Sequence, residues 1–354
     1  MNPSYNLLVS GIQPTGELHL GNYLGMTQTI VNRQKICDWK GIYFVADLHA
    51  ITTKVAHENL AYQSHLVAAS FLAAGIDPSR NIIFKQSSVS EHSELAWILS
   101  CVARMGWMNN MIQFKEKSGD NSETSSLGLY AYPALMAADI LLYRATHVPV
   151  GEDQRQHLEL TRLIAQRFNT DFKDKIKKVY KKYDKEEQFS NGFFPIIEGL
   201  IESSTSRIKS LKNASKKMSK SDSSDYSRIN LLDNADIIAK KIQKAKTDCD
   251  VLPTEVCALE NRLEAKNLVK IFAAVRHIKQ EDVLKQFAGK YFSHFKLALA
   301  DAIIEEITPI SKKIHHLLEE KNYLDTILVE GSNRARCIAQ ETMKYVREIV
   351  GLSH

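Results

Sequence analysis

Two short stretches of this chain carry residue types suited to binding a polyphosphate. Residues 10–25 contain four glycines, and within them His19 and Asn22 stand three positions apart, so both project from one face of a helix. A glycine-rich turn brings backbone amides close to an anion, and a helix amino terminus adds free N–H groups. Much later in the chain, Lys217 and Lys220 stand beside serines and can place two ammonium groups on one polyphosphate. The alternatives are a tight strand-to-helix connection and a solvated basic loop.

Short apolar strands and helices alternate around the first stretch. This alternation predicts a Rossmann-like α/β fold, with a parallel sheet of βαβ units and right-handed crossovers. Ligands of such sheets bind at the carboxyl ends of the strands. The predicted strands lie at residues 7–9, 41–46, 82–84 and 148–150, and the predicted helices at 23–33, 57–74, 91–105, 133–142 and 152–168. Residues 10–25, 47–49 and 151–154 each follow a predicted strand, so we expect them to converge on one cleft.

The chain divides into two predicted domains. Residues 1–222 form the α/β domain, and residues 223–354 have few glycines or prolines and long helical patterns, which predict an α-helical domain. The final helix is a candidate for packing back on the first domain. A Lys-rich segment from 172 to 187 is interpreted as a solvated amphipathic helix rather than a nucleic-acid contact.

Composition narrows the class of protein and its compartment. The chain has 354 residues, of which 44% are hydrophobic and 25% charged, and its net charge is +5. This composition is typical of a globular protein, and the length allows two domains, each with its own core. Its five cysteines are scattered without a C-x-x-C pair, which predicts reduced thiols in a cytoplasmic protein and no zinc or iron–sulfur site. No signal peptide is evident, and the apolar run at 134–142 is short and interrupted by Asp139, so a membrane location is not expected.

Residues 15–22 and 217–221 together resemble the paired signatures of class I aminoacyl-tRNA synthetases. Further matches resemble the bacterial type of tryptophanyl-tRNA synthetase; they lie at residues 10–14, 113–118, 132–142, 148–154 and 157–162. Where the general class I motif has a second histidine, this chain has Asn22, which the tryptophan branch usually shows. Residues 172–192 match nothing in that pattern.

The resemblance implies activation of tryptophan by ATP and transfer to tRNA(Trp), with Mg²⁺ accompanying ATP and no prosthetic group. Because the substrate carboxylate is itself the nucleophile, the site needs cations and backbone donors rather than a general base. The implied catalytic lysines are Lys117, Lys217 and Lys220. The implied ATP-binding residues are Gln13, Pro14, Thr15, His19, Gly21, Asn22, Gly151, Glu152, Asp153, Ile208, Lys217, Met218, Ser219, Lys220 and Ser221. Of these, Glu152 could be only a helix-dipole partner, and Lys117 only part of a polar surface loop.

Asp139 is the predicted specificity residue. A carboxylate in an apolar helix needs a donor, and the indole N–H of tryptophan could supply it; an ion pair with Arg144 is the alternative. The resemblance places Tyr132 and Gln154 on the substrate amino group and Met136 and Val148 against the ring. His49 is either ligand-facing or a hydrogen-bonded packing histidine, and Met136 could be simple core.

The implied partners are tryptophan, ATP and tRNA(Trp), with no membrane and no DNA. The resemblance also implies a homodimer, and an anticodon-binding role for the helical domain through Lys240, Lys241, Lys244 and Lys246. Three rival interpretations remain open: a tyrosyl-tRNA synthetase, a small-molecule nucleotidyltransferase on the same superfold, and a synthetase-like RNA-binding protein that has lost catalysis.

Overall fold

Five parallel strands form the sheet that positions the predicted site. The computed structural model describes residues 6–34, 39–52, 59–111, 125–149, 151, 154–185, 192–200, 208–220 and 222–352. Its strands are β1 (Asn6–Ile12), β2 (Trp39–Val45), β3 (Ile82–Lys85), β4 (His147–Pro149) and β5 (Glu198–Leu200). They are hydrogen-bonded in the order β3-β2-β1-β4-β5. The predicted Rossmann-like α/β fold is confirmed.

The order of the strands reverses at β1. Leu8 pairs with Gly41 of β2 on one side and with His147 of β4 on the other. Chain connections therefore leave β1 in opposite directions, and a crevice opens between the carboxyl ends of β1 and β4.

Helices cover the sheet and continue beyond it. In the first part of the chain these are α1 (Leu20–Asn22), a π-helical turn (Tyr23–Thr27), α2 (Gln28–Gln34), α3 (Asp47–Ala50), α4 (Leu60–Ala73), α5 (Glu91–Val102), α6 (Met105–Asn109), α7 (Leu127–Leu141), α8 (Arg155–Asp171) and α9 (Lys173–Tyr183). In the last part they are α10 (Ala235–Gln243), α11 (Leu263–Arg276), α12 (Gln280–Phe287), α13 (Phe292–Glu319) and α14 (Lys321–Val350).

The start of α7 differs from the prediction. The sequence predicts a helix that begins at Pro133. It begins six residues earlier, at Leu127, where the Ser126 side chain accepts a hydrogen bond from the Leu129 amide and caps the helix. Pro133 therefore lies inside α7, and the helix tolerates the loss of one backbone donor.

Alternating side chains divide the core between the two faces of the sheet. Leu8, Tyr43 and Ile83 pack on the face covered by α4, which contributes buried residues such as Phe71. The side chains of neighbouring positions point to the other face and pack against α5, α7 and α8; they include Val9, Ile42, Phe44 and Phe84. Burial on both faces explains why the strands are almost continuously apolar.

The long carboxyl-terminal helix α14 lies against the edge strand β3. Gly331 of α14 approaches the backbone of Ile83 so closely that a Cβ atom would overlap the Ile83 carbonyl oxygen. Arg334 donates to the carbonyl oxygens of Pro78 and Asn81, both at 3.0 Å. Although α13 and α14 are long, none of the helices in the described ranges has the apolar stretch needed to cross a bilayer.

The Lys-rich segment forms the amphipathic helix α9. Ile176, Val179 and Tyr180 are buried on its inner face, whereas its lysines are exposed. Lys182 pairs with Glu348 of α14 at 2.6 Å. The helix is thus packed against the hydrophobic core beside the sheet and against α14, while its basic face remains in water.

Candidate active site

A cavity of about 340 Å³ opens at the carboxyl ends of β1, β2 and β4, at the reversal point of the sheet. Its wall combines backbone from these strands with side chains from α3, α7 and the two signature stretches. The lining residues are Val9, Ser10, Gly11, Gln13, Gly21, Asn22, Gly25, Phe44, Ala46, His49, Tyr132, Met136, Asp139, Ile140, Val148, Pro149, Gly151, Gln154 and Lys217. The expected convergence of separate loops on one cleft is therefore observed among these residues.

His19 and Asn22 hold each other at the start of α1. The Asn22 amide donates to His19 Nδ1 at 3.2 Å, and the His19 amide donates to Asn22 Oδ1 at 3.2 Å. This reciprocal pair is a capping box, which satisfies two backbone donors that would otherwise lack partners. The geometry of this cap therefore fixes the two side chains that the sequence predicts to bind phosphate.

The protonation of His19 follows from its surroundings. Burial, together with the positive charges of Lys220, Lys217 and Arg228, lowers the pKa of His19 to about 3. The imidazole is therefore neutral at physiological pH, and because Nδ1 accepts a hydrogen bond, the proton resides on Nε2. His19 can offer a ligand one N–H donor without adding a charge.

The segment that follows the second signature pairs with the first signature. The Leu20 amide donates to the Ile229 carbonyl at 2.8 Å, and the Leu231 amide donates to the Leu18 carbonyl at 2.8 Å. Within the second signature, the Met218 amide donates to the Ile208 carbonyl at 3.1 Å, and the Met218 side chain is buried. Segments about two hundred residues apart in the chain therefore form one unit beside the cavity.

Lys220 lies across the first signature. Its Nζ donates to the carbonyl oxygens of Gly16 at 3.2 Å and Gln13 at 3.5 Å. Gly16 has φ +114°, a left-handed conformation that disfavours other residues, and it turns its carbonyl toward the lysine. Burial lowers the pKa of Lys220 to about 8. The ammonium group of Lys220 would exchange these two carbonyl oxygens for the negative charge of an anion bound here.

The loop after the second signature is anchored by a buried lysine. Lys241 Nζ lies 2.6 Å from Asp233 and 2.6 Å from Asp225, and the side chain is 2% exposed. The expectation that Lys241 faces the anticodon arm is therefore wrong, because its side chain is buried and its ammonium group is paired with these two aspartates. Lys240, Lys244 and Lys246 are exposed.

At the other end of the cavity, Asp139 is held by three donors. Its Oδ1 accepts from Gln86 Nε2 at 2.6 Å and from His92 Nδ1 at 2.7 Å, and its Oδ2 accepts from His49 Nε2 at 2.7 Å. Burial would raise the pKa of Asp139, but the electrostatic interactions and hydrogen bonds with His49 and His92 outweigh it and lower the value to about 2. The carboxylate is therefore ionised, and its partners in the part of the chain that the structure describes do not include an arginine. The guanidinium of Arg144 lies over the Phe193 ring instead.

Aromatic and apolar side chains surround this carboxylate. His49 lines the cavity and also forms a hydrogen bond with Asp139. The hydrogen bond agrees with the packing interpretation, and the position in the wall is compatible with a ligand-facing role. The Tyr132 hydroxyl lies 2.7 Å from Nε2 of the buried His157. Met136, Val148 and Gln154 complete this end of the wall.

The predicted residues fall into three groups. All six predicted tryptophan-binding residues line the cavity, as do Gln13, Gly21, Asn22, Gly151 and Lys217 among the predicted ATP-binding residues. Beside the cavity without lining it are Pro14, Thr15, His19, Ile208, Met218, Ser219 and Lys220. Outside the described residues are Lys117, Glu152, Asp153 and Ser221.

Sequence reasoning missed the residues behind Asp139. Gln86 directly follows β3, so the rule that singled out residues 47–49 at the end of β2 would also have found it. His92 and Tyr143 carry no such signal, since they lie in or after helices and meet only through tertiary packing. His157 belongs to a matched stretch but had been given no role.

A family model for tRNA synthetases class I (W and Y) matches residues 4–308 of the chain. The chain belongs to this family. Curated proteins that are similar to this chain over nearly its full length are tryptophan–tRNA ligases. A tryptophan–tRNA ligase of Mesorhizobium japonicum is 56% identical and one of Rhizobium meliloti is 53% identical; the alignments cover 98% and 99% of each chain, respectively.

Solved structures of class I synthetases agree with this assignment. The tryptophanyl-tRNA synthetase of Mycoplasma pneumoniae has a TM-score of 0.84 and 31% identity, covering 99% of this chain and 98% of that one. The enzyme of Campylobacter jejuni, complexed with ADP and tryptophan, has a TM-score of 0.74 and 32% identity, covering 98% and 100%. A tyrosyl-tRNA synthetase of Aeropyrum pernix is only 16% identical and supports the fold alone. The predicted resemblance to the tryptophan branch is confirmed.

Proposed function

We propose that this class I synthetase joins tryptophan to tRNA(Trp) in two steps, with ATP consumed in the first. The main support is that Asn22 and Lys217 of the two signatures line the same cavity as the buried carboxylate of Asp139, which hydrogen bonds hold in place. A polyphosphate and an amino acid with a ring N–H can therefore meet in one space. The full-length similarity to tryptophan–tRNA ligases supports the same function.

The first step needs no general base. An oxygen of the ionised tryptophan carboxylate bonds to the α-phosphorus of ATP, the bond to the bridging oxygen breaks, and pyrophosphate leaves. Lys217 and Lys220 stabilise the negative charge on the transferring phosphoryl group and on pyrophosphate, and the neutral His19 donates through Nε2. We assign Lys117, Glu152, Asp153 and Ser221 to the same ATP site on the resemblance alone.

Magnesium accompanies ATP in this proposal. Within the described ranges, no group of three or more His, Cys, Asp or Glu side chains is arranged to hold a metal ion. Oxygen ligands from the ATP phosphates suit Mg²⁺, which keeps several waters and binds proteins through few carboxylates. Mg²⁺ then supplies further positive charge at the phosphates.

The amino acid is recognised at the far end of the cavity. Asp139 Oδ2 accepts the indole N–H, Tyr132 and Gln154 contact the α-amino group, and the ring lies between Met136 and Val148. An analogue that lacks the ring N–H leaves a buried carboxylate oxygen without that donor, and such sites can reject it by roughly 10⁴-fold.

In the second step a ribose hydroxyl at the end of tRNA(Trp) attacks the acyl carbon, loses its proton, and AMP leaves. We assign the anticodon arm to the helical part of the chain, where Lys240, Lys244 and Lys246 are exposed. Phosphate contacts of this kind make binding weaken as salt increases. The enzyme is placed in the cytoplasm, where its tRNA and its reduced cysteines belong.

We also propose a homodimer. Three large apolar side chains are mostly exposed on neighbouring helices: Trp97 of α5, Met105 of α6 and Leu127 of α7. The Tyr130 hydroxyl lies 3.6 Å from Met105 Sδ, which ties α6 to α7. Large apolar side chains exposed on neighbouring helices are typical of a protein–protein interface, and a second copy of the chain fits the family.

Amino-acid-dependent exchange of labelled pyrophosphate into ATP tests the first step. With Mg²⁺ present and each of the twenty amino acids supplied separately, we expect exchange with tryptophan alone. Lys217→Ala is expected to slow exchange by roughly 10²-fold, the size typical of losing one transition-state donor. The matched control is Lys216→Ala, which removes the exposed neighbouring lysine and should exchange at the wild-type rate.

Two results would contradict the proposal. Exchange with tyrosine in place of tryptophan would give Asp139 a phenol-reading role. Folded protein that binds tRNA but supports no exchange would favour the non-catalytic alternative.

A further inference from the structure

A buried hydrogen-bonded chain runs from the cavity wall into the core through Asp139. Behind the carboxylate, His92 contacts Oδ1 through Nδ1 at 2.7 Å, and its Nε2 lies 2.7 Å from the Tyr143 hydroxyl. His92 is 0% exposed and Tyr143 is 2% exposed. Neither residue lines the cavity, so neither contacts a ligand bound there.

The carboxylate fixes the direction of the first hydrogen bond in this chain. An ionised carboxylate only accepts, so His92 Nδ1 carries a proton and donates to it. On the other side of the ring, Nε2 contacts the Tyr143 hydroxyl. Burial and the charges of Asp139 and Glu91 raise the pKa of Tyr143 well above its usual value, so the hydroxyl keeps its proton. The contact with Tyr143 thereby holds the His92 ring in the orientation that donates to Asp139.

The remaining lone pairs of Asp139 can be counted. Each carboxylate oxygen accepts about two hydrogen bonds. Among the described residues, Oδ1 accepts from Gln86 and His92, whereas Oδ2 accepts from His49 alone. One acceptor position is left, and it belongs to Oδ2.

We propose that His92, backed by Tyr143, is a positioning residue for amino-acid specificity, holding Asp139 so that Oδ2 alone is presented to the indole N–H. The inference rests on the proposed function. Without His92 the carboxylate is free to rotate or to take up a proton, and a protonated carboxyl group no longer demands a donor from the substrate. Discrimination against rings that lack an N–H then weakens.

The polar and titratable groups around Asp139 come from three helices and the turn after β3. His49 lies on α3, His92 and Glu91 on α5, Tyr132 on α7, Tyr143 just after α7, and the uncharged Gln86 in the turn. With both histidines in place Asp139 stays ionised through the whole range from pH 8 to pH 5. Burial raises the pKa of Asp139 and the hydrogen bond from His92 lowers it. Without His92 the pKa of Asp139 therefore rises, and the carboxyl group takes up a proton at higher pH.

The test compares tryptophan with 3-(benzothiophen-3-yl)alanine, which keeps the bicyclic shape but has sulfur in place of the N–H. Pyrophosphate exchange is measured for Tyr143→Phe, His92→Leu and His92→Asn. The Asn side chain restores a donor to Oδ1 and is the rescue variant. Tyr180→Phe is the matched control, since it removes another buried tyrosine hydroxyl from the same core.

We expect Tyr143→Phe and His92→Leu to raise the KM for tryptophan by roughly ten-fold, the size of one lost hydrogen bond to a charged acceptor. The kcat and the KM for ATP should stay within about two-fold, and the preference for tryptophan over the sulfur analogue should fall by a similar roughly ten-fold factor. In both variants the KM for tryptophan should rise further as pH falls from about 7.5 to 5.5, whereas that of the wild type stays flat. His92→Asn should recover most of the preference.

An unchanged KM and preference in folded Tyr143→Phe would overturn the inference, because that variant removes a single oxygen atom. An equal fall of kcat with both amino acids and a flat pH profile would also overturn it, since that pattern indicates a purely structural role. If the wild-type enzyme itself fails to exchange with tryptophan, the proposed function fails first. Exchange by the wild type together with unaltered variants refutes only the positioning role.

Discussion

The His19 side chain caps α1 and is also predicted to bind phosphate. As the cap of α1 it accepts a backbone hydrogen bond through Nδ1, and that acceptance requires a neutral ring. Its pKa of about 3 in the folded protein lies far below the ordinary histidine value near 6.5. Between these values the unfolded chain binds more protons than the folded chain, so acid favours unfolding.

We therefore predict that the free energy of unfolding falls as pH drops below about 6.5, with His19 contributing about 1 kcal/mol of the loss by pH 5.5. Urea unfolding at pH 7.5 and 5.5 measures this loss. His19→Asn keeps a capping oxygen but cannot take up a proton, so its loss over the same interval should be smaller by about that amount. Equal losses in the two proteins would show that His19 titrates freely in the fold.

At the scale of elements, the contact between α14 and β3 depends on a missing side chain. Gly331 lies in a buried part of α14 with the Ile83 backbone against it, and backbone cannot move aside as a flexible side chain can. Gly331→Ala should therefore lower the free energy of unfolding by about 1–2 kcal/mol, because overpacking outweighs the helix propensity gained with alanine.

Gly106→Ala is the matched control for that measurement. Gly106 lies in α6 with open space where its Cβ would stand, so the substitution should be neutral or slightly stabilising in urea unfolding. A stabilised Gly331→Ala variant would mean that α14 does not lie this close to the sheet.

At the scale of the whole molecule, the exposed apolar surface predicts association. Light scattering of the purified enzyme should give twice the chain mass, and Trp97→Glu should shift it toward the monomer, because Trp97 is 74% exposed and a charge cannot be buried there without a partner. Leu297→Glu alters an equally exposed leucine, 68% exposed, on α13 and should leave the dimer intact. Dissociation by the second variant alone would move the interface to the helical part.

Local sequence determined the elements and the location of the site. Apolar runs such as residues 41–46 form strands because a strand buried on both faces of a parallel sheet must be apolar throughout. The signature residues Asn22 and Lys217 could be assigned to a phosphate site because glycine turns, helix starts and paired lysines have a local chemical meaning. The carboxyl-end rule then placed separate loops at one cleft, with only the chain order in hand.

Tertiary structure alone decided which partner each buried polar group has. A carboxylate such as Asp139 must find a donor, but three separate elements could supply it, and only packing selects His49, Gln86 and His92 in preference to Arg144. The same holds for Lys241, which its sequence context suggested was a surface cation and which the fold pairs internally with two aspartates. Local patterns report the cost of burying a charge, whereas the partner that offsets it is fixed by contacts distant in sequence.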